Sequence, residues 1–170
     1  MSSVLDFILG STYPEEIAYV YTDGKSAYEL SEVREKMDKA GVTKTEEAKL
    51  KRQEKALKEA LAQKRLEFHL QGLSPSARDT LFKIAEEKSE KEGWDDNKRA
   101  EQLTGHLYAA TIQKVIGPDG KEMEQEWTPD AIIEMFAALP NGATGDFIDK
   151  ANKVSVRATD FDRAHDVSFS

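Results

Sequence analysis

The stretch that decides the fold runs from Phe68 to Ser155. It reads FHLQGLSPSARDTLFKIAEEK (68–88), GWDDNKRAEQLTGHLYAATIQKVI (93–116), GPDG (117–120) and EWTPDAIIEMFAALPNGATGDFIDKANKVS (126–155). Apolar anchors recur in helix-length blocks, and turn chemistry separates them. Ser74 and Pro75 open one block, because a serine oxygen satisfies a free first-turn amide and proline lacks the amide that would need satisfying. Ala77, Leu81, Ile84 and Ala85 then share a helical face, while the polar run EEKSEKEG (86–93) reads as frayed or looped. Trp94 precedes Asp95 and Asp96, acids suited to the positive end of a helix, and Ala100, Leu103, Leu107, Ala110 and Thr111 repeat at helical spacing as far as Ile116. Pro118-Asp119-Gly120 is a turn in which proline fixes φ and glycine accepts a positive one. Thr128-Pro129-Asp130 caps a further helix bearing Ile132, Ile133, Phe136 and Leu139, and Pro140-Asn141-Gly142 ends it. A last helix from about Thr144 to Lys153 offers Phe147, Ile148 and Ala151. Leu81, Leu103, Leu107, Ile132, Phe136 and Phe147 are the expected core anchors.

Upstream of this block the writing is thinner. Ser2 or Ser3 caps a short helix with Val4, Leu5, Ile8 and Leu9, closed by Gly10, too short to stand without docking its apolar side elsewhere. In EIAYVYTDGKSAYEL (16–30), Ile17, Tyr19 and Tyr21 alternate with Ala18 and Val20. Asp23-Gly24 supplies turn residues, and Ala27, Tyr28 and Leu30 resume, which predicts a β-hairpin. Ser31 to Lys39 reads as a short helix with Val33 and Met37 on one side, ended by Gly41. Thr43 and Glu46 have capping-box spacing and open a long charged helix running to about His69. Its apolar residues Leu50, Leu57, Leu61 and Phe68 form a narrow seam between lysines and glutamates.

The fold class expected is therefore mainly α: a helical domain with a long charged helix and a small N-terminal β-hairpin. Its segments are 1–42 (short helix, hairpin, short helix), 43–71 (long charged helix), 72–154 (compact helical domain) and 155–170 (polar flexible tail).

Composition narrows the function classes. The 170 residues are 39% hydrophobic and 33% charged, which implies a modest core under a heavily charged surface, and a compact part with a thinner, elongated part is expected instead of one continuous core. With 32 acidic and 24 basic residues the net charge is -8, which argues against a general binder of the phosphate backbone, and no nucleic-acid partner is expected. Cysteine is absent, so disulfides and thiolate metal sites are excluded. No apolar run approaches the roughly 20 residues that cross a bilayer. The opening MSSVLDFILGSTYP carries Asp6 and no basic residue, unlike a signal peptide, so no membrane partner and a cytosolic location are expected.

Catalytic apparatus is not legible. His69, His106 and His165 lie far apart, and none has a metal-ligand neighbour at i+3 or i+4. Asp95-Asp96-Asn97 and Asp119-Gly120 lack the ligand spacing of a calcium loop. Asp160 and Asp162 fall in the expected tail, where burial could not tune them. The phosphate-cradling glycine loops and the serine nucleophile elbow are missing, and Gly142-Ala143-Thr144-Gly145 reads as a plain loop. Trp94 and Trp127, at positions leading into helices, are expected as core anchors. The expectation is a protein that is not an enzyme, with no catalytic residues, cofactor or metal.

The order of segments resembles the tail assembly chaperones of long-tailed, siphovirus-type actinobacterial bacteriophages. The resemblance rests on VLDFIL (4–9), IAYVYTDG (17–24), the charged helix running into FHLQGLSPSARDTLF (68–82), a loop to GW (93–94) and AATIQKVIGPDG (109–120). It continues through Trp127, Ile132, the LPN of 139–141 and Phe147 to NKVSVRATDFDRAHDVSFS (152–170). It implies a chaperone that coats the tape-measure protein before the tail tube polymerises, works in the cytoplasm of the infected host and is absent from the mature virion. It also implies a longer frameshifted form, of which this chain would be the shorter counterpart. The tail tube protein and a second copy of the chain are further candidate partners. Leu50, Leu57 and Leu61, with the aromatics Tyr19 and Tyr21, are the expected client or self-association contacts. The competing expectation is a structural virion component, such as a head–tail connector or minor capsid protein.

Overall fold

The protein was analysed as a computed structural model that describes residues 3–155. The elements are α1 (Val4–Leu9), β1 (Glu15–Tyr21), α2 (Gly24–Asp38), α3 (Lys44–Ala62), β2 (Arg65–Gln71), α4 (Pro75–Glu92), α5 (Asp96–Thr111), β3 (Ile112–Ile116), β4 (Glu122–Met123), α6 (Pro129–Ala138) and α7 (Gly145–Lys153). The strands form one antiparallel sheet in the order β1-β2-β3-β4. The expectation of a mainly α domain with one hairpin is thus corrected: among the described residues, seven helices accompany a four-stranded sheet in a mixed α/β fold.

Three local competitions account for the difference. Phe68 stands seven residues from Leu61, which suits a helix, yet Leu66, Phe68 and Leu70 alternate with Arg65, Glu67, His69 and Gln71. The period of two prevails, α3 stops at Ala62, and the next seven-residue element is β2. At the other site, Ile112 and Val115 fit a helical step of three, but the β-branched Thr111, Ile112, Val115 and Ile116 prefer a pleated surface. Ile112 is already extended at φ -77°, ψ 116°. Lastly, Asp23 does not turn a hairpin. Its carboxylate accepts the Ser26 amide at 3.0 Å and the Ser26 hydroxyl at 2.6 Å, capping α2. Ala27–Leu30, expected as the return strand, are helical, and the partner of β1 is β2.

Other punctuation is found as read. Ser3 and Asp6 form a capping box on α1, and Thr43 and Glu46 form one on α3. Ser74 caps α4 ahead of Pro75, Thr128 caps α6 ahead of Pro129, and Gly120 takes φ 79° in the β3–β4 turn. The EEKSEKEG run differs from its expectation, because α4 continues to Glu92 and ends at Gly93 in the left-handed region. Ala85 and Ser89, small buried residues four apart, let α4 lie close to α5 there. Val154 is buried at the end of the compact segment; of the expected tail 155–170, Ser155 is half-buried and 156–170 lie outside the described residues.

The core lies under the inner sheet face, where Ala18, Val20, Phe68, Leu70 and Val115 meet Phe147 and Ala151 of α7. Phe147 is the hub, edge-on to Phe68, Tyr108 and Phe136 at centroid distances of 5.3, 5.6 and 5.9 Å. Such a side chain stabilises by about 1.5–3 kcal/mol through burial, with up to about 1.5 kcal/mol per aromatic pair. Trp127 packs on Phe68 at 5.6 Å as an anchor; Trp94 is half-buried and its indole N–H donates to Glu92 at 2.8 Å. Of the expected anchors Ile132 and Phe147 are fully buried, and Leu81, Leu103, Leu107 and Phe136 are half-buried. Each of the expected segments 1–42, 43–71 and 72–154 contributes at least one strand to the sheet. Among the described residues no helix is long and apolar enough to cross a membrane.

Candidate interaction site

The α3 seam finds a partner within the chain. On α3 the less exposed residues include Leu50, Glu54, Leu57 and Leu61, and on α2 they include Ser26, Leu30, Val33 and Met37. Both sets step by four, three and four, the spacing of an antiparallel helix pair, and α2 and α3 pack against each other. Arg34 bridges to Glu54 at 3.9 Å across the pair. Leu61 is buried, and Leu50 and Leu57 are half-buried along this seam. These three leucines serve the α2–α3 hairpin, which stands between two paired strands. Leu61, at the root of the pair, lines one cavity together with Tyr21 of the sheet, whereas Leu50 and Leu57 do not.

Tyr19 and Tyr21 belong to the outer sheet face. The register puts Ile17, Tyr19 and Tyr21 opposite His69, Glu67 and Arg65. Alternation in a sheet with one wet face should place polar residues there, and β1 does not comply. Ile17, Tyr19 and Tyr21 are 39%, 36% and 37% exposed, and half-buried Ile116 continues the row beyond Glu67. The Arg65 guanidinium sits 4.7 Å over the Tyr19 ring and holds Glu67 at 3.3 Å, so the ring is oriented from below while its other surface stays open. At the edge, the Tyr19 amide donates to the Asp146 carboxylate at 2.7 Å. Glu16 binds Lys153 at 2.7 Å and Lys150 at 3.8 Å, which holds its carboxyl below the usual range, chiefly through the Lys153 hydrogen bond. Thus α7 fastens the edge of β1 without covering its outer face.

A second apolar feature concerns α1, whose apolar side the sequence predicts must dock. None of its residues is buried. The helix is nonetheless formed locally: the Ser3 amide donates to Asp6 at 2.9 Å, the Asp6 amide to Ser3 Oγ at 3.0 Å, and the Ser11 hydroxyl to the Ile8 carbonyl at 2.6 Å. Beside its root lies a groove of about 690 Å³ lined by Tyr13, Leu73, Phe82, Leu107, Tyr108 and Thr111. Sequence reading passed over Phe82; its place one residue after the buried-side Leu81, off the helical face, was the available signal.

Among the described residues no three of His, Asp and Glu are grouped closely enough to hold a metal ion. His106 has a buried Nε2 without a hydrogen-bond partner among these residues, and burial, helped by Lys88 and opposed by Asp130, pushes its pKa below the ordinary value. Its neighbour Gln102 donates to Asp130 at 2.9 Å, tying α5 to α6. The described residues present an apolar row of Ile17, Tyr19 and Tyr21 on the sheet, an apolar helix with no buried residue, and a groove. No family model, no curated protein and no solved structure matches this chain.

Proposed function

We propose that this protein is a phage tail assembly chaperone, which binds the tape-measure protein through the outer face of its sheet and keeps it soluble until the tail tube forms. The observation that supports this reading is the apolar row of Ile17 and the aromatics Tyr19 and Tyr21 on the solvent side of β1. A long helical client presents repeated apolar faces to water, and a soluble coat must cover them reversibly. Tyrosine suits such a coat because it supplies a large contact area at low entropic cost, and its hydroxyl keeps the free surface wettable. The net charge of -8 keeps the coated complex dispersed. Leu50, Leu57 and Leu61 also pack toward α2, so the outer sheet face is the surface this reading places first.

The test is co-expression of the full chain with the tape-measure protein of the same phage, followed by pull-down and a solubility assay. The client should co-purify and stay in the soluble fraction. Ile17→Ser with Tyr21→Ser should weaken capture by about tenfold or more, the loss typical of central aromatic contacts, with circular dichroism unchanged. An insoluble client, or capture indifferent to this double variant, would sink the reading. Finding the chain in purified mature particles would favour a structural virion component instead.

A further inference from the structure

We infer that α1 of one copy docks in the Phe82 groove of a second copy, reciprocally, to make a twofold dimer. This rests on α1 and the groove alone and is independent of the client.

The arm is apolar except for Asp6. Val4, Leu5, Phe7, Ile8 and Leu9 are 78%, 62%, 84%, 58% and 74% exposed, which amounts to on the order of 600 Å² of apolar surface. That is at the upper end of the largest patch a monomer shows to water, and here it sits on one short helix. Six residues of helix would be marginal alone, yet the Ser3–Asp6 box and the Ser11 hydroxyl fix this one, so the arm is shaped before it meets a partner. A preformed apolar helix with no buried residue is a ligand without its site.

The site lies at the arm's root. Ser11, Thr12 and Tyr13 line the groove, and no residue of α1 does, so the chain's own arm leaves the groove it borders. Phe82, 40% exposed, stands in its wall, with half-buried Leu107 and Tyr108 in the same lining. Because arm and groove share a border, a twofold axis near Tyr13 carries each arm over the other copy's groove, and the contact closes on itself. Charge does not oppose it. The arm's one charged side chain is Asp6, already engaged with Ser3, and the groove's Arg78 and Asp79 cancel. If half of each arm is covered, two arms and two grooves remove on the order of 1,200 Å² from water, the lower bound for a specific interface.

Sedimentation equilibrium of the full chain at micromolar concentration should give a dimer. Phe7→Asp and Phe82→Asp should each raise its dissociation constant by about tenfold or more. Phe7→Asp should leave the circular dichroism of the monomer nearly unaltered, since α1 buries nothing in its own copy. The absence of cysteine permits a direct check of geometry. Phe7→Cys chains mixed with Phe82→Cys chains of different tag length should form a mixed disulfide dimer on oxidation. A monomeric wild type overturns the inference. So does a dimer indifferent to both aspartate variants, or a mixture of the two cysteine chains that forms no mixed disulfide dimer.

Discussion

Gly105 and His106 sit side by side on α5, and each has a distinct role. A Cβ on Gly105 would lie 2.9 Å from the Pro129 Cα and 3.0 Å from its carbonyl oxygen, so the glycine sets how closely α6 approaches α5. Alanine would gain about 1 kcal/mol of helix propensity, but the clash is with backbone and cannot be relieved by a rotamer. Overpacking should win, and Gly105→Ala should lower stability by about 1–2 kcal/mol in urea denaturation. His106 is held neutral chiefly by burial, so its folded pKa lies below the ordinary 6.5 and the unfolded chain binds its proton more readily. Its contribution is therefore complete above pH 6.5 and is lost as pH falls below that value. The melting temperature should decline between about pH 7 and pH 5, above the range where the carboxylates titrate, and His106→Phe should flatten that decline.

At the scale of elements, legibility followed the strength of local chemistry. Caps at Ser3, Thr43, Ser74 and Thr128 and the Gly120 turn were readable because each rests on a hydrogen bond or a φ value within a few residues. The strands β2 and β3 were not, because each directly follows a helical stretch and carries apolar residues that fit both periods for a step or two. With β2 hidden, β1 takes a local return strand and α2 is cut short. The α3 seam is then left without an internal partner and reads as free for a client. Only Tyr19 and Tyr21 of the expected contacts remain on an open surface. It follows that Leu57→Asp should destabilise the α2–α3 pair, by about 1–3 kcal/mol, whether or not a client is present. Loss of far-ultraviolet helicity in the isolated variant, measured by thermal melting, would distinguish this from a pure binding defect.

For the molecule as a whole, the sheet is a single layer with one covered face and one guarded edge. The amide of Tyr19 points away from β2 and would invite another strand if Asp146 did not accept it at 2.7 Å. Asp146→Ala should cost about 1 kcal/mol and promote aggregation seen by light scattering on warming, whereas Asp146→Asn, which keeps an acceptor, should do less of both. The α2–α3 hairpin also bears on how the chain reaches this state. Tyr21 and Arg65 pair directly although both helices lie between them. Left as coil, that span would make pairing of β1 with β2 a slow, long-range search. Zipped from the turn near Gly41 downward, the two helices bring the strand ends together before the strands touch. The hairpin would then work as a clasp that turns a distant encounter into a neighbouring one, with the turn near Gly41 formed before the strands meet.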